Sequence, residues 1–170
     1  MKAIVIYQSK TGFTQRYAGW IGTALNCEAV AWKDAQAMDL TAYDTLVYGG
    51  WCHAGSIIGL KKFLKVAEPL KKNIAVFAVG ASPAENPEIE SALRRNFTQE
   101  QWERIRAFYF PGGLNYEKMG AVDRALMAAF RAMTKKQEGE DSEMYRMLCK
   151  SYDLTDEEYI QPLVAHCQGQ

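Results

Sequence analysis

The chain has 170 residues, and its 20 Lys and Arg residues balance its 20 Asp and Glu residues, which gives a formal net charge of zero. This length corresponds to about one domain, and the 48% hydrophobic content excludes a disordered or fibrous chain. The neutral balance argues against non-specific nucleic-acid binding, so we expect no nucleic-acid partner. No apolar run approaches about 18 residues, and we expect neither a transmembrane segment nor an N-terminal signal peptide.

The cysteines and histidines lack the spacing of a metal site. No two of the four cysteines form a CxxC pair, and His53 and His166 lie far apart in sequence. We therefore predict no metal, and reduced thiols in a cytoplasmic protein rather than the disulfide framework of a small secreted domain. The thiols are those of Cys27, Cys52, Cys149 and Cys167.

Strand and helix patterns alternate along the first 111 residues. Short β-branched apolar runs predict five buried strands, at 2–7, 27–32, 44–48, 73–79 and 107–110, the third closed by Gly49-Gly50. Apolar residues at helical spacing predict helices at 13–25, 57–66, 88–97 and 98–106. Buried strands joined by right-handed helical crossovers form a doubly wound parallel sheet of the α/β class.

The loop after the first strand carries three hydroxyls around a glycine, in the run Ser9-Lys10-Thr11-Gly12-Phe13-Thr14. Ligands of doubly wound sheets bind at the carboxyl ends of the strands, where the strand order reverses. The unpaired N–H groups at a helix start suit a phosphate, and hydroxyls can add hydrogen bonds to it. The alternative is that the hydroxyls only cap the helix. The loop matches neither the Walker motif nor the GxGxxG turn.

Ser9, Thr11, Gly12 and Thr14 follow the pattern Ser/Thr-x-Thr-Gly-x-Thr, which resembles the phosphate loop of the flavodoxin-like proteins. The resemblance covers roughly residues 1–111 and implies FMN as the cofactor. It implies a flavodoxin-like sheet in the order 2-1-3-4-5 within a single domain spanning 1–170. The implied phosphate contacts are Ser9, Lys10 (main chain), Thr11, Gly12, Phe13 (main chain) and Thr14.

The same resemblance places the flavin ring between the loops after the third and fourth strands. The expected ring contacts are Gly50, Trp51, Cys52 and His53 on one side and Gly80, Ala81 and Ser82 on the other. Trp51 either stacks on the ring or serves only in packing. His53 is a candidate proton donor, and nothing else in the sequence supports Cys52 as a nucleophile. The loop after the fourth strand has no aromatic residue, so the outer ring face is either open to a flat substrate or shielded by another part of the chain.

After the fifth predicted strand, the chain is longer than the one helix that a minimal flavodoxin needs there. We predict an inserted helical segment at about 112–152, with a helix at 117–136 and a last helix opening at 155–158. The first of these helices has an apolar face and a basic opposite face. It either packs on the domain with its charged side in water, touches a membrane surface, or contacts a second copy. The apolar face consists of Met119, Val122, Leu126, Phe130 and Met133.

The residues before this helix resemble the menaquinone-dependent protoporphyrinogen oxidases, a branch of the flavodoxin-like proteins. The matching residues are Phe110-Pro111-Gly112-Gly113, Tyr116 and Asp123-Arg124. The resemblance implies an FMN-dependent oxidoreductase with a quinone or porphyrinogen partner, peripheral at the membrane. The predicted helix lacks the tryptophan of an interfacial anchor.

Two other functions are alternatives to the enzyme. The first is a flavodoxin-type electron carrier with a redox-protein partner, although many such carriers are strongly acidic and this chain is neutral. The second is a flavin-free interaction module.

Overall fold

The computed structural model describes residues 2–169. Its strands are, in chain order, β1 (Ala3–Gln8), β2 (Ala29–Ala31), β3 (Thr45–His53), β4 (Ser56–Ile57), β5 (Asn73–Gly80), β6 (Arg106–Pro111), β7 (Gly113–Leu114) and β8 (Tyr152–Asp153). Its α-helices are α1 (Phe13–Ala24), α2 (Trp32–Ala35), α3 (Leu60–Ala67), α4 (Ile89–Arg94), α5 (Gln99–Arg104), α6 (Ala121–Glu138), α7 (Glu143–Leu148) and α8 (Gln161–Gln168). Short 3-10 helices lie at Leu40–Ala42, Glu68–Leu70 and Glu157–Ile160.

The main sheet is parallel and has the order β2-β1-β3-β5-β6. This confirms the predicted α/β fold and the predicted order 2-1-3-4-5 of the five long runs. The strand order reverses between β1 and β3, and ligands of such sheets bind at the carboxyl ends of the strands beside that point. The β1–α1 loop and the end of β3 are therefore the parts of the fold to inspect for a site.

Both faces of the sheet are covered, because successive strand side chains point to opposite sides. Ile4 and Ile6 pack into a cluster with Phe63 of α3, while Val5 packs into a second cluster with Tyr17 of α1. α8 closes the second face and contributes buried residues to the same cluster as α1. The central strands β1, β3 and β5 are thus largely buried as expected, whereas the edge strands β2 and β6 are only partly buried.

β3 continues through Gly49 and Gly50, where the sequence predicted its end. Both glycines pair with β1, and both pair with β5. A Cβ on Gly49 would overlap the Phe77 ring, and one on Gly50 would lie 2.6 Å from the carbonyl oxygen of Ile58. The two glycines therefore permit close packing inside the sheet rather than a turn.

The turn after β3 occurs at Ala54 and Gly55, which have φ angles of 47° and 79°. It joins β3 to the short antiparallel strand β4. This hairpin displaces the start of the following helix from the predicted residue 57 to Leu60, because Ile57 pairs with Cys52 instead of entering the helix.

After β6 the chain forms β7, α6, α7 and β8 before it returns to the last helix. β7 and β8 form a separate antiparallel pair. α6 begins at Ala121, later than the predicted residue 117, because Tyr116–Lys118 form a turn in which Asn115 accepts the Lys118 N–H. The first expected helical turn is thus replaced by a loop.

The apolar face predicted on α6 is turned toward solvent. Val122 is 74% exposed, Leu126 51% and Met133 49%. Arg124 Nε instead donates to the Tyr116 carbonyl oxygen at 3.0 Å, and the Arg131 guanidinium lies 5.4 Å from the Tyr116 ring centroid. Most of the apolar side is therefore solvated and the basic side contacts Tyr116, which is the reverse of the alternative in which the apolar side packs on the domain.

Within residues 2–169, no helix combines the length and hydropathy required to cross a lipid bilayer.

We expect Gly49→Ala to lower the free energy of unfolding by about 1–3 kcal/mol or more, because the added methyl group overpacks the site against Phe77. Gly19→Ala is the control, since a Cβ there meets no atom within 4 Å and alanine is the better helix former. It should raise the free energy of unfolding by about 0.5–1 kcal/mol. Urea unfolding of both variants measures the two effects. Equal midpoints for Gly49→Ala and the unmodified protein would contradict the packing account.

Candidate functional site

The β1–α1 loop leaves the start of α1 without a side-chain cap. Gly12 occupies the cap position with a φ of 103°, and no side chain caps the first turn. Ser9 Oγ accepts the Gly12 N–H at 3.3 Å, so its hydrogen bond lies within the loop rather than at the helix. The loop hydroxyls therefore do not cap α1, contrary to the alternative given by the sequence.

Two threonine hydroxyls of this loop have no partner within the described part of the chain. Thr14 is only 1% exposed, yet neither its hydroxyl nor that of Thr11 makes a hydrogen bond with residues 2–169. The first N–H groups of any α-helix also lack intrahelical acceptors. Unpaired hydroxyls and N–H groups thus converge at the positive end of α1, where an anion is favoured.

Two adjoining cavities meet at this loop. One is a cleft of about 170 Å³ with a mainly apolar lining, and the other is a more open, polar cavity of about 510 Å³. They share Thr11, Phe13 and Leu114. The loop therefore divides a polar compartment from an apolar one.

The cleft brings together residues from all three predicted loops. Predicted residues that line it are Ser9, Lys10, Thr11, Phe13, Thr14, Trp51, Cys52, His53, Gly80 and Ala81. Gly12 lines the polar cavity instead.

Gly50 and Ser82, predicted as ring contacts, do not line the cleft. Gly50 is buried within β3, between the paired strands. Ser82 lines a separate cavity of about 260 Å³, and its carbonyl oxygen accepts the Tyr109 hydroxyl at 2.7 Å. The Tyr152 hydroxyl donates to the neighbouring Ala81 carbonyl oxygen at 2.8 Å. These two tyrosines fix the loop after β5 in a course that turns Ser82 away from the cleft.

The segment after β6 supplies the part of the lining that the sequence analysis did not assign to the site. Leu114, Met119, Asp123, Leu126 and Met127 all line the cleft. The outer side of the cleft is therefore shielded by this segment rather than by an aromatic residue of the β5 loop. Met119 and Leu126 already belonged to the predicted apolar face, but nothing in the sequence indicated which part of the domain they reach.

Lys10 connects the β1–α1 loop to the first turn of α6. Its Nζ lies 2.5 Å from Asp123 Oδ2 and 5.3 Å from the Trp51 ring centroid. Trp51 also contacts His53 edge-on, with ring centroids 5.8 Å apart. Lys10 therefore contacts both α6 and the end of β3 beside the cleft.

The thiol and imidazole at the end of β3 differ in their surroundings. Burial raises the pKa of the Cys52 thiol to about 11, because the charged thiolate is poorly solvated there. Cys52 is therefore protonated near pH 7 and unsuited to act as a nucleophile. His53 is exposed on the cleft lining. No cluster of three or more potential metal ligands occurs among residues 2–169.

Comparison with known proteins agrees with this architecture. A family model described as a flavodoxin domain matches residues 4–141. No protein in the curated set matches the chain significantly.

Solved structures similar to this one include the Trp repressor binding protein of Bacillus subtilis. It is 18% identical, with a TM-score of 0.49, and the match covers 78% of this chain and 96% of that one. A flavoprotein from Lactobacillus acidophilus NCFM, in complex with FMN, is 15% identical with a TM-score of 0.48, and the match covers 65% of this chain and 91% of that one. The family model spans most of the sequence, and the chain therefore belongs to the flavodoxin domain family.

Proposed function

We propose that this chain is an FMN-dependent oxidoreductase. The observation that carries the proposal is the junction of the two cavities at an uncapped helix start. FMN has a phosphate at one end and a flat, largely apolar ring at the other. The polar compartment suits the former, with the Thr11 hydroxyl at its junction with the cleft and Thr14 on the cleft side of that junction, and the apolar cleft suits the latter.

The residues present fit each part of the cofactor. The Thr11 and Thr14 hydroxyls and the first N–H groups of α1 would hold the phosphate, since neither hydroxyl makes a hydrogen bond within residues 2–169. Gly12 adds no side chain beside them. Trp51 and the side chains of Met119 and Leu126 would line the ring compartment.

When bound, FMN supplies the transfer of one or two electrons, and the chain supplies position and surroundings. The apolar residues from the segment after β6 cover part of the cleft. His53 is exposed at its edge and could carry a proton between solvent and the site. Cys52 stays protonated and contributes only to the lining.

We further propose a flat apolar substrate of the quinone or porphyrinogen class. The support is the apolar cover of the cleft, which merges at Leu126 with the exposed apolar face of α6. A second candidate is an electron carrier with a redox-protein partner, which the small volume of the apolar cleft favours, since about 170 Å³ leaves little room for a substrate beside the ring.

FMN titration of the purified protein, followed by flavin fluorescence, tests the cofactor. We expect saturable one-to-one binding, and Thr14→Val should raise the Kd about 10- to 150-fold, because a hydrogen bond to a charged phosphate is lost. Thr45→Val is the matched control. It removes a buried hydroxyl that has no partner among the described residues, at the opposite end of β3, and it should leave the Kd unchanged.

Absence of FMN binding by a folded sample would refute the proposed cofactor. Equal Kd values for Thr14→Val and the unmodified protein would exclude only Thr14 as a phosphate contact, and the proposed cofactor would stand.

The choice between enzyme and carrier requires the reduced, FMN-loaded protein. We expect a hydrophobic quinone to reoxidise it with saturation kinetics, and Leu126→Gln to raise the KM about 5- to 30-fold, because apolar contact in the cleft is lost. Val122→Gln, on the same face of α6 but outside the cleft lining, should behave like the unmodified protein. Reoxidation that does not saturate, with fast transfer to a redox protein instead, would support the carrier.

A further inference from the structure

Three cations surround the β1–α1 loop, and two of them are neutralised by the chain. Lys10 pairs with Asp123 at 2.5 Å. Arg16 lies 2.6 Å from both Asp153 Oδ2 and Thr155 Oγ1. The third is Lys118, which has no carboxylate within ion-pair distance in the part of the chain that the structure describes.

A turn in the segment after β6 presents Lys118 to the loop. The Lys118 N–H donates to the carbonyl and side-chain oxygens of Asn115, at 3.2 and 3.1 Å, which fixes this turn. Its Nζ lies 3.6 Å from the position that a Cβ on Gly12 would occupy. Lys118, Thr11 and Gly12 all line the polar cavity.

This placement brings the Lys118 ammonium close to the positive end of α1. The start of α1 carries a partial positive charge, and the Lys118 ammonium stands beside it without a counter-ion from residues 2–169. The neighbouring carboxylate of Glu117 is engaged elsewhere, because it accepts the Ser151 hydroxyl at 2.7 Å. The Thr14 hydroxyl, which has no hydrogen-bond partner among residues 2–169, lies in the same loop, on the side of the adjoining cleft. Together these groups form a site that favours an anion.

We infer that Lys118 is the counter-ion of the FMN phosphate, so that the segment after β6 contributes to the cofactor site at its polar end as well as covering its apolar end. The inference rests on the proposed FMN site. Its consequence is selectivity: the ammonium stabilises a phosphorylated flavin and contributes nothing to one that lacks phosphate. A glycine at position 12 serves this arrangement, since it leaves the anion in reach of both Lys118 and α1.

The test compares FMN with riboflavin, its counterpart without phosphate. Lys118→Met keeps most of the side-chain length and removes the charge. We expect it to raise the Kd for FMN about 5- to 50-fold, less than for a fully buried charged contact because the site is open to water. The Kd for riboflavin should change by less than about twofold, since no charge is involved. Lys136→Met, at an exposed position near the end of α6, is the control and should leave both constants unchanged.

Salt and free phosphate supply two further readouts. Added salt should weaken FMN binding more in the unmodified protein than in Lys118→Met, because screening acts on the charge that the variant lacks. Inorganic phosphate should compete with FMN at lower concentration in the unmodified protein than in the variant.

An equal loss of FMN and riboflavin affinity in Lys118→Met would show a structural role for the side chain and overturn the inference. Unchanged FMN affinity would overturn it as well, while the proposed FMN site would stand. If the folded, unmodified protein bound no FMN, the proposed function and this inference would fall together.

Discussion

Pairing between β1 and β3 brings together the two central parts of the candidate site, the β1–α1 loop and the end of β3. Residue pairs from Ala3–Thr45 to Gln8–Gly50 hold the two strands parallel and bring them to the same edge of the sheet. The uncapped start of α1 and the aromatic end of β3 therefore emerge side by side. On the other side of β3, Gly49 allows the ring of Phe77, its pairing partner on β5, to lie across it. An aromatic ring over a glycine restores the packing that the missing side chain would have provided.

The sequence was sufficient for features that depend on local patterns. The buried strands and the hydroxyl-rich loop follow from residue spacing and from the geometry of crossover connections. The strand order followed from the resemblance of that loop to the phosphate loop of the flavodoxin-like proteins. It was insufficient where a residue's role depends on a distant neighbour. Gly49 and Gly50 have the composition of a turn, and only their pairing with β1 and β5 and the close approach of Phe77 and Ile58 show that they belong inside the sheet. Ser82 lines a different cavity from the cleft for the same reason, since Tyr109 and Tyr152 contact the carbonyl oxygens of its loop.

The orientation of α6 shows a second limit of pattern analysis. Amphipathic spacing identifies two faces, but it does not decide which one meets the protein. Here the basic side contacts Tyr116: Arg124 donates to its carbonyl oxygen, and the Arg131 guanidinium lies near its ring. The apolar side consequently faces outward along most of the helix and reaches the cleft only near its start, at Leu126 and Met127. A segment that would otherwise be a peripheral addition becomes one wall of the site.

The pairing of β7 with β8 has an architectural consequence. Leu114 pairs with Tyr152, and Gly113 pairs with Asp153. The segment that carries α6 and α7 therefore begins and ends at two adjacent strands, and we call this β7–β8 pair the neck. Chain between two fixed, adjacent ends can lengthen or shorten at small entropic cost. The strand order does not depend on its contents, because none of the five parallel strands lies beyond the neck. The sheet and the cover of the cleft can therefore diverge separately, so that new specificity can arise without a new fold.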